Sequence, residues 1–451
     1  MKKSQNNLIF SISGLRGIVG EGLTPDLVVR YTSAFGSLCR GNVVVGRDTR
    51  STGEMIKNLV ISSLLSVGCE VIDIGICPTP TVELAVLDLK AQGGIAITAS
   101  HNPIEWNALK FINSEGMFIT EQQKNKIDKL SKNQNIKFVS WDKIGKVSKD
   151  SFQIEKHISK ILELRLVNKE KIREKRFKVI IDCVNGAGGF ATPILLEKLG
   201  CEVIKINCQN TGTFPHPPEP VSSNLTHLCD TVQQYQADIG FANDPDADRL
   251  AIVSEKGEAI GEEYTLALAT KYVLSKKKGP TVVNLSTSKM IDDVGKMYNS
   301  TVHRTRVGEA NVGLKLKQIK GVIGGEGNGG VILPELHYGR DALVGTALIL
   351  SYLAESSLTV SQAIQQIPQY YMIKKTFPIN QNFDKILHKF KAKYRKNSMN
   401  TQDGLRIDFP EGWLHIRKSN TEPIARVIAE AKDKGEAEEL VSSSLKFFKN
   451  K

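Results

Sequence analysis

The sequence predicts a protein of the α/β class, with three similar mixed-sheet α/β domains and a smaller C-terminal α+β domain. Two observations carry this prediction. A strand–loop–helix–strand plan occurs at 43–72 and again at 178–204, each copy ending in Gly-Cys-Glu-Val-Ile, and more weakly at 281–303. The tail differs, because polar and apolar residues alternate at 413–417 and 425–430, as in an antiparallel pair of strands.

The repeated plan justifies the three α/β domains. Each copy opens with a short apolar run that predicts a strand, passes through a loop into a helix, and closes with a second strand. Such connections are right-handed crossovers and predict largely parallel pairing within each sheet. Ligands of open α/β sheets bind beyond the carboxyl ends of the strands, so function is expected in the loops there. We predict domains at 1–147, 148–255, 256–372 and 373–451.

Length and composition narrow the class of protein. The chain has 451 residues, of which 41% are apolar, enough for roughly three domains, and no run approaches the ~18 apolar residues of a transmembrane helix. The start, Met1-Lys2-Lys3, lacks a cleavage site of small residues, so no signal peptide is predicted. Seven cysteines without a Cys-x-x-Cys pair favour reduced thiols in a cytoplasmic protein over a disulfide framework or a zinc site.

The positive charge of the chain does not indicate a nucleic-acid-binding protein. The formal net charge is +12, and residues 121–178 alone hold 17 Lys and Arg against 8 Asp and Glu. That segment is typical of amphipathic helices with solvated lysines, and it lacks the interleaved aromatic residues that stack on bases. We therefore expect neither a nucleic acid nor a membrane as partner.

One stretch presents a serine at the end of a predicted strand. Ile95 to Thr98 is an apolar, β-branched run, and it is followed by Ser100-His101-Asn102 and Pro103, which disfavours helix at the preceding residue. A serine on a bend after a buried strand is placed like a nucleophile. The alternative is that Ser100 caps a helix starting near Ile104.

A second loop carries three carboxylates. Asp244, Asp246 and Asp248 alternate along an extended stretch after a predicted strand, so they can converge on a hard cation such as Mg²⁺. Uncompensated carboxylates this close would repel one another, which also favours a cation. Arg249 would offset some charge or bind a phosphate. The alternatives are a calcium-loop look-alike or a solvated acidic turn, although the glycine and distal glutamate of an EF-hand are missing.

Two further turns offer groups for sugars and anions. Residues 324–330 surround Glu326 and Asn328 with glycines, which suits the hydroxyl or amino groups of a sugar, and the spacing is not that of a nucleotide loop. Residues 417–423 combine Arg417 with hydroxyls, an amide and backbone N–H groups in an anion nest, to which Arg426 adds a second fork. Each stretch is equally well explained as a hairpin turn.

Two cationic stretches precede the serine. They are Ser13-Gly14-Leu15-Arg16-Gly17 and Arg47-Asp48-Thr49-Arg50. A structural ion pair between Arg47 and Asp48 is the alternative to a role in binding.

Taken together, these loops resemble those of the α-D-phosphohexomutase family, which includes phosphoglucomutases, phosphomannomutases and phosphoglucosamine mutases. The likeness covers essentially the whole chain: 98–103 resembles the phosphoserine loop, 244–249 the metal loop, 325–330 the sugar-binding loop and 417–423 the phosphate-binding loop. Four motifs in register are far more specific than one and favour the nucleophile over the helix cap at Ser100. The family fold places three similar α/β domains and a smaller fourth domain around a central cleft.

The resemblance implies a mechanism and a set of site residues. Ser100 would carry a phosphoryl group, donate it to a sugar monophosphate, and recover the other phosphate after the bisphosphate has reoriented. One Mg²⁺ per active site and a hexose bisphosphate activator are implied, with a small sugar phosphate as partner and a monomeric or homodimeric protein. The fourth domain is expected to open and close.

The implied roles fall into three groups. The metal would lie on Asp244, Asp246 and Asp248 and contact the phosphate on Ser100. Proton transfer or charge stabilisation would come from Arg16, His101 and Lys110. Substrate would be bound by Arg249, Glu326, Asn328, Arg417, Ser419, Asn420, Thr421 and Arg426.

The sequence departs from the family at three places. Pro245 stands where many members have glycine, and Asn328 and Gly330 stand where bacterial members often have serine and histidine. His337 is a candidate substitute for that histidine.

The favoured reaction interconverts glucosamine 6-phosphate and glucosamine 1-phosphate, with phosphoglucomutase or phosphomannomutase activity as the alternative. From other classes, a metal-dependent sugar phosphatase and a non-catalytic sugar-phosphate sensor remain.

Overall fold

Four β-sheets organise the chain in the computed structural model, which describes residues 8–133, 136–379, 381–419 and 424–449. One sheet has seven strands, two have four, and the last has five. The architecture is of the predicted class, with mixed sheets in domains I to III and an antiparallel sheet in the C-terminal domain IV. No helix within the described ranges is both long enough and apolar enough to cross a membrane.

Domain I is built on the seven-stranded sheet. Its strands are β1 (Leu8–Ser11), β2 (Gly14–Ile18), β3 (Asn42–Arg47), β4 (Glu70–Ile76), β5 (Gly93–Ile97), β6 (Trp106–Asn113) and β7 (Val147–Lys149). Its helices are α1 (Pro25–Cys39), α2 (Gly53–Ser66), α3 (Thr79–Asp88) and α4 (Glu121–Asn133). The order is β1-β2-β6-β5-β3-β4-β7, with parallel pairing from β5 through β7 and antiparallel pairing on the other side.

Domains II and III repeat the central part of that sheet. Domain II contains α5 (Gln153–Glu163), α6 (Lys169–Lys175), β8 (Lys178–Asp182), α7 (Thr192–Lys198), β9 (Glu202–Ile206), α8 (Thr226–Tyr235), β10 (Ile239–Asn243) and β11 (Leu250–Ser254). Domain III contains α9 (Glu262–Lys276), β12 (Thr281–Asn284), α10 (Met290–Met297), β13 (Val302–Thr305), α11 (Glu309–Ile319), β14 (Ile323–Glu326), β15 (Gly330–Ile332), α12 (Ala342–Ser356) and α13 (Val360–Gln365). Their strand orders are β11-β10-β8-β9 and β15-β14-β12-β13.

Domain IV is the α+β tail that the alternation predicted. It contains β16 (Tyr371–Pro378), α14 (Phe383–Lys393), β17 (Ser398–Asn400), β18 (Leu405–Phe409), β19 (Gly412–Lys418), β20 (Ile424–Ala431) and α15 (Lys434–Lys449). All its pairings are antiparallel, in the order β16-β20-β19-β18-β17, and α15 packs on β20 and β16. The exact limits of the four domains remain a prediction from the sequence.

The three α/β domains share one supersecondary feature, which confirms the prediction of mixed sheets. In each sheet, one central parallel strand ends in a loop and the chain then returns along an antiparallel strand: β5 to β6, β10 to β11, and β14 to β15. The sheets are therefore mixed, because a short loop can close only an antiparallel hairpin. These three loops are the serine, aspartate and glycine-rich loops.

Domains II and III share one hydrophobic core. Helix α12 is buried on nearly its whole circumference, and it packs with α9 between the two sheets. An all-round apolar helix such as α12 is stable only inside a protein. This shared core fixes the aspartate loop relative to the glycine-rich loop.

A buried polar network joins the first three domains. Asp341 accepts at the N-terminus of α12 from two backbone N–H groups, and its Oδ2 lies 2.9 Å from Nε2 of His157 and 3.3 Å from Nε2 of His337. His337 Nδ1 lies 3.2 Å from Glu83 Oε2 of domain I, and all four side chains are buried. Burial disfavours a charged imidazole, but Asp341 and Glu83 outweigh it and raise the pKa of His337 to about 9.

This network corrects one expectation. His337 does not replace the missing histidine of the sugar-binding loop, because its ring is buried between Glu83 and Asp341 and is not among the residues that line the central cleft. Its role in the described structure is to hold domains I and III together.

The raised pKa of His337 predicts a pH-dependent contribution to stability. The folded state holds the proton more tightly than the unfolded chain, so the stabilisation is present below the unfolded pKa near 6.5 and is lost as the pH rises through about 9. That difference corresponds to about 3 kcal/mol. We expect the melting-temperature gap between the wild type and His337→Gln to be largest at pH 6 and to shrink by pH 9.5.

The exposed His388 on α14 provides a control, since His388→Gln should leave a small gap that does not vary with pH. A His337→Gln gap that is constant or widens between pH 6 and pH 9.5 would contradict the assignment.

Candidate active site

The four domains enclose one cleft of about 690 Å³. Most of the side chains predicted for the site line it: Arg16, Ser100, His101, Lys110, Arg249, Glu326, Asn328, Arg417, Ser419 and Arg426. Asp244, Asp246 and Asp248 are fully buried directly beneath Ser100 and Lys110. Asn420 and Thr421 lie outside the described residues. The structure thus brings loops that are far apart in sequence onto one surface.

Ser100 sits on a strained turn at the end of β5. Its φ is +50°, a left-handed conformation that is uncommon for residues with a side chain. Its Oγ donates to Oδ2 of Asp244 at 2.6 Å and lies 3.2 Å from Nδ1 of His101. No helix starts near Ile104, because the chain turns there and continues as β6, so the helix-cap alternative is wrong.

Arg50 holds the serine loop in shape. Its guanidinium donates to four backbone carbonyls: those of Ser100 and Asn102, each at 2.7 Å, Pro103 at 2.6 Å and Trp106 at 3.0 Å. Asp48 anchors the guanidinium at 3.1 Å and also accepts from Thr98. An arginine presents five donors in a rigid fork, which is why one side chain can fix a whole turn.

The expected ion pair between Arg47 and Asp48 is not the one that forms. Arg47 pairs instead with Glu54 at 3.0 Å, and Asp48 pairs with Arg50, two residues away. Because successive residues of an extended segment point in opposite directions, Asp48 and Arg47 diverge. The sequence placed Arg50 among the cationic candidates but gave no sign that its targets are carbonyls of the serine loop.

The three aspartates converge as predicted, and protein cations already compensate part of their charge. Lys110 Nζ lies 2.5 Å from Asp246 Oδ2 and 3.1 Å from Asp248 Oδ2, and Arg340 Nη2 lies 2.7 Å from Asp248 Oδ2. One carboxylate oxygen of each aspartate lies within 4.8 Å of those of the others. The premise of uncompensated carboxylates was therefore wrong, although the site keeps room for a metal ion.

Two carboxylate oxygens without hydrogen-bond partners in the described structure also indicate a place for a metal ion. Asp246 Oδ1 and Asp248 Oδ1 are buried and have no hydrogen-bond partner among the described residues. Buried carboxylate oxygens without partners are costly unless a cation or a donor is supplied. Three carboxylates, with the Ser100 hydroxyl bonded to one of them, offer the oxygen ligands that Mg²⁺ prefers.

The pKa values of Asp244 and Asp248 are shifted in opposite directions. Burial and the neighbouring Asp248 and Asp246 raise the pKa of Asp244 well above its usual range. Burial acts in the same direction on Asp248, but Arg340 and Lys110 outweigh it and lower the pKa of that carboxyl. A cation bound among them would favour the ionised form of all three.

Arg340 links the aspartate loop to the glycine-rich loop. Its other nitrogens lie 2.9 Å from Glu326 Oε2 and 2.9 Å from Glu309 Oε2. Glu326 also accepts from Asn284 at 2.7 Å and from the Gly308 N–H at 2.8 Å. The sequence singled out Glu326 and missed Arg340, because no local pattern distinguishes an arginine that bridges two loops from a surface arginine.

The glycine-rich loop is a hairpin turn, and its residues Glu326, Gly327 and Asn328 line the cleft. It connects β14 to β15, and a Cβ at Gly329, where φ is +85°, would lie 2.4 Å from the carbonyl oxygen of Leu250. Asn328 Oδ1 is buried and has no hydrogen-bond partner within the described ranges. That amide oxygen is available for a polar ligand.

Two arginines stand side by side on adjacent strands of domain IV. Arg417 on β19 and Arg426 on β20 are directly paired in the antiparallel register, and both line the cleft. Burial, opposed by Asp403 and aided by Arg426, lowers the pKa of Arg417. Like charges directly opposite on neighbouring strands are destabilising, so an anion between them is the natural counterpart.

The remaining candidates for proton transfer surround Ser100. Burial, reinforced by Arg249 and Arg16, lowers the pKa of His101 well below its usual value, so the imidazole is neutral at pH 7. Burial also lowers the pKa of Arg16 to about 10, and Arg16 Nη1 donates to Asn102 Oδ1 at 2.5 Å. A neutral imidazole beside the serine can accept a proton, whereas Arg16 supplies positive charge.

Models of known domains match in order along the chain. They are the phosphoglucomutase/phosphomannomutase alpha/beta/alpha domains I, II and III, at residues 7–138, 155–257 and 261–371, and the C-terminal domain of the same family at 375–445.

Relatives match over nearly their full length. A phosphoglucomutase/phosphomannomutase of Thermococcus kodakarensis is 38% identical, covering 97% of this chain and 98% of its own. A probable phosphoglucosamine mutase of Methanopyrus kandleri is 36% identical, covering 96% and 95%.

Solved structures share the fold. A phosphoglucomutase/phosphomannomutase family protein of Burkholderia thailandensis has a TM-score of 0.85 at 25% identity, covering 98% of this chain and 97% of its own. An N-acetylphosphoglucosamine mutase of Aspergillus fumigatus, in complex with GlcNAc-6P and magnesium, has a TM-score of 0.61 at 14% identity, covering 98% and 95%.

The carbonyl contacts of Arg50 predict the effect of replacing it. Arg50→Lys keeps the charge beside Asp48 but cannot reach four carbonyls, and each bond to a charged donor stabilises by roughly 1.5–3 kcal/mol. We expect amide hydrogen exchange in residues 98–106 to accelerate at least tenfold (an order-of-magnitude estimate), measured by mass spectrometry. Arg30→Lys, on the exposed face of α1, is the control. Unchanged exchange in Arg50→Lys would rule out this role.

Proposed function

The chain belongs to the phosphoglucomutase/phosphomannomutase family and is a phosphohexomutase, and we propose that it interconverts glucosamine 6-phosphate and glucosamine 1-phosphate through a phosphoserine at Ser100. The observation that supports phosphoryl transfer through Ser100 is the position of its Oγ, 2.6 Å from Asp244, in a cleft lined by the loops of all four domains. Several relatives at 34–38% identity are probable phosphoglucosamine mutases, which supports the choice of sugar.

The reaction divides into two phosphoryl transfers. In the first, the bond between Ser100 Oγ and phosphorus breaks, a sugar hydroxyl oxygen takes the phosphoryl group, and its proton passes to Ser100. In the second, after the bisphosphate has reoriented, the bond between phosphorus and the other sugar oxygen breaks, Ser100 Oγ takes that phosphoryl group, and the proton of Ser100 passes to the sugar oxygen that is released. A trace of hexose bisphosphate would load Ser100 initially. Positioning and charge neutralisation dominate this chemistry.

Side chains around Ser100 would supply proton transfer and charge neutralisation. The neutral imidazole of His101, 3.2 Å from Ser100 Oγ, is placed to accept and return the hydroxyl proton, with Lys110 and Arg16 stabilising charge around it. Asp244, Asp246 and Asp248 would hold one Mg²⁺. A bound Mg²⁺ supplies Lewis-acid neutralisation of phosphoryl oxygens.

Binding of the rest of the substrate would be shared between domains III and IV. Glu326 and Asn328 would orient sugar hydroxyls, while Arg417 and Arg426, with the turn of Ser419, Asn420 and Thr421, would hold the phosphate that is not reacting. Arg249, which lines the cleft and pairs with Glu219 at 3.1 Å, would assist. These contacts with the phosphate must break before the bisphosphate intermediate can reorient. Domain IV should therefore move relative to domains I to III.

The first prediction from the proposed function concerns phosphoryl transfer through Ser100. Ser100→Ala should lose at least about three orders of magnitude in turnover, because the covalent route is removed. The intact mass of the wild type should show one added phosphoryl group that Ser100→Ala lacks. Ser223→Ala, on the exposed surface of domain II, should retain both the rate and the added mass. A near-normal rate in Ser100→Ala would exclude the phosphoserine mechanism.

The second prediction concerns the metal. Asp246→Asn keeps the size of the side chain but removes one of three ligand charges, so Mg²⁺ affinity measured by calorimetry should fall at least about tenfold. Most of the mutase activity should be lost with it. Asp230→Asn, exposed on α8, is the matched control. Full wild-type activity in excess chelator would remove the metal from the proposal.

The third prediction concerns the sugar. Charge-assisted hydrogen bonds to an ammonium are worth roughly 1.5–3 kcal/mol, so kcat/KM for glucosamine 1-phosphate should exceed that for glucose 1-phosphate and mannose 1-phosphate about ten- to a hundredfold. The relative named phosphoglucomutase/phosphomannomutase makes the neutral sugars the second candidates. A preference for either neutral sugar would contradict the assignment of glucosamine, and net release of inorganic phosphate would indicate a phosphatase.

A further inference from the structure

A second carboxylate lies against the glycine-rich loop. Glu263 is near the N-terminus of α9, and its side chain, 12% exposed, lines the cleft together with Gly327, Asn328 and Lys374. No pattern in the sequence distinguishes Glu263, because it follows another glutamate in the first turn of a helix, where acidic residues are common.

Gly327 is matched to this carboxylate. A Cβ at position 327 would lie 2.0 Å from Glu263 Oε2 and 2.1 Å from Oε1, so the carboxylate occupies the space that any other side chain there would fill. The φ of Gly327 is not in the left-handed region, so backbone conformation does not require glycine at this position. Space for Glu263 is the physical reason for the glycine.

Glu263 has more unused acceptor capacity than Glu326. Both oxygens of Glu326 already accept from protein donors, including Arg340 at 2.9 Å. The hydrogen bond that Glu263 makes with described residues is from the Ser288 N–H to Oε2, at 2.9 Å. Its nearest cation in the described structure is Lys374, 3.8 Å from Oε1, and Lys374 bonds instead to Glu262 at 2.7 Å.

An ionised Glu263 carboxylate is therefore weakly compensated. Burial raises its pKa to about 8, against the opposing effects of Lys374 and the Ser288 N–H, so ionisation of this group near pH 7 is unfavourable without a bound cation. A cation bound at Oε1 would relieve this cost, whereas a neutral hydroxyl would relieve little of it.

We propose that Glu263 is a specificity-determining residue whose carboxylate accepts a charge-assisted hydrogen bond from the 2-ammonium group of an aminohexose phosphate. This inference rests on the proposed function of the same cleft and assigns the discrimination between amino and neutral sugars to Glu263 rather than to Glu326. The bond forms in the orientation in which the sugar presents its amino group to α9.

The test is the selectivity ratio, kcat/KM for glucosamine 1-phosphate divided by kcat/KM for glucose 1-phosphate, measured on enzyme loaded with hexose bisphosphate. Glu263→Gln should lower this ratio ten- to a hundredfold. A purely structural defect would slow both substrates and leave the ratio unchanged. Glu262→Gln makes the same charge change one residue away, on the side chain that Lys374 binds, and should alter the ratio less than about twofold.

Gly327→Ala provides a second, independent variant. Its Cβ should displace the Glu263 carboxylate and lower the ratio in the same direction without changing any charge. An unchanged ratio in Glu263→Gln, or an equal fall in Glu262→Gln, would overturn the proposal. A wild-type preference for glucose 1-phosphate would instead overturn the substrate assignment, and the change in ratio on Glu263→Gln would still decide the role of Glu263.

Discussion

Charge balance among buried side chains is the constraint on which this structure depends. Asp246 and Asp248 of domain II are held by Lys110 of domain I and Arg340 of domain III, all of them buried. Removing one partner of a buried ion pair leaves an uncompensated charge, which typically destabilises by about 3–5 kcal/mol. The first three domains are thus locked together by the same groups that would serve the reaction.

Domain IV is attached differently. It meets domain III through hydrogen bonds, such as His415 Nδ1 with Ser286 Oγ at 2.9 Å and the Lys289 N–H with Glu430 at 2.7 Å, and through the ion pair of Lys374 with Glu262. Its hydrophobic core is its own, whereas domains II and III share one core. A domain held in this way can carry the Arg417 and Arg426 pair toward or away from Ser100, as two transfers on one sugar require.

Much of this arrangement could be predicted from the sequence because the fold repeats one local rule. Strands, crossovers and the loops that follow β5, β10 and β14 are set by apolar runs and glycine positions within a few dozen residues. Ser100, the aspartates and Glu326 were predicted because each stands in or beside such a loop, and Arg417 because it stands at the end of β19, before the turn to β20. The alternative of a helix starting near Ile104 was wrong because the chain there forms a hairpin that continues as β6.

What the sequence could not provide are side chains whose partners are remote along the chain. Arg50 binds carbonyls about fifty residues away, Arg340 joins Asp248, Glu309 and Glu326, and Glu263 fills the space left by Gly327. His337 was mistaken for a cleft residue because its partners, Glu83 and Asp341, reveal themselves only in three dimensions. Such residues are ordinary in type and spacing, and only packing distinguishes them.

The central claim is that the phosphoryl group travels through Ser100, and a single-turnover transfer experiment tests it most directly. Enzyme carrying a ³²P-labelled phosphoryl group on Ser100 would be mixed with excess unlabelled glucosamine 6-phosphate and quenched within one turnover. The account predicts that the label leaves the protein and appears in the sugar bisphosphate, and then in the sugar monophosphate. Label that stays on the protein while product forms, or that is released as inorganic phosphate, would contradict it.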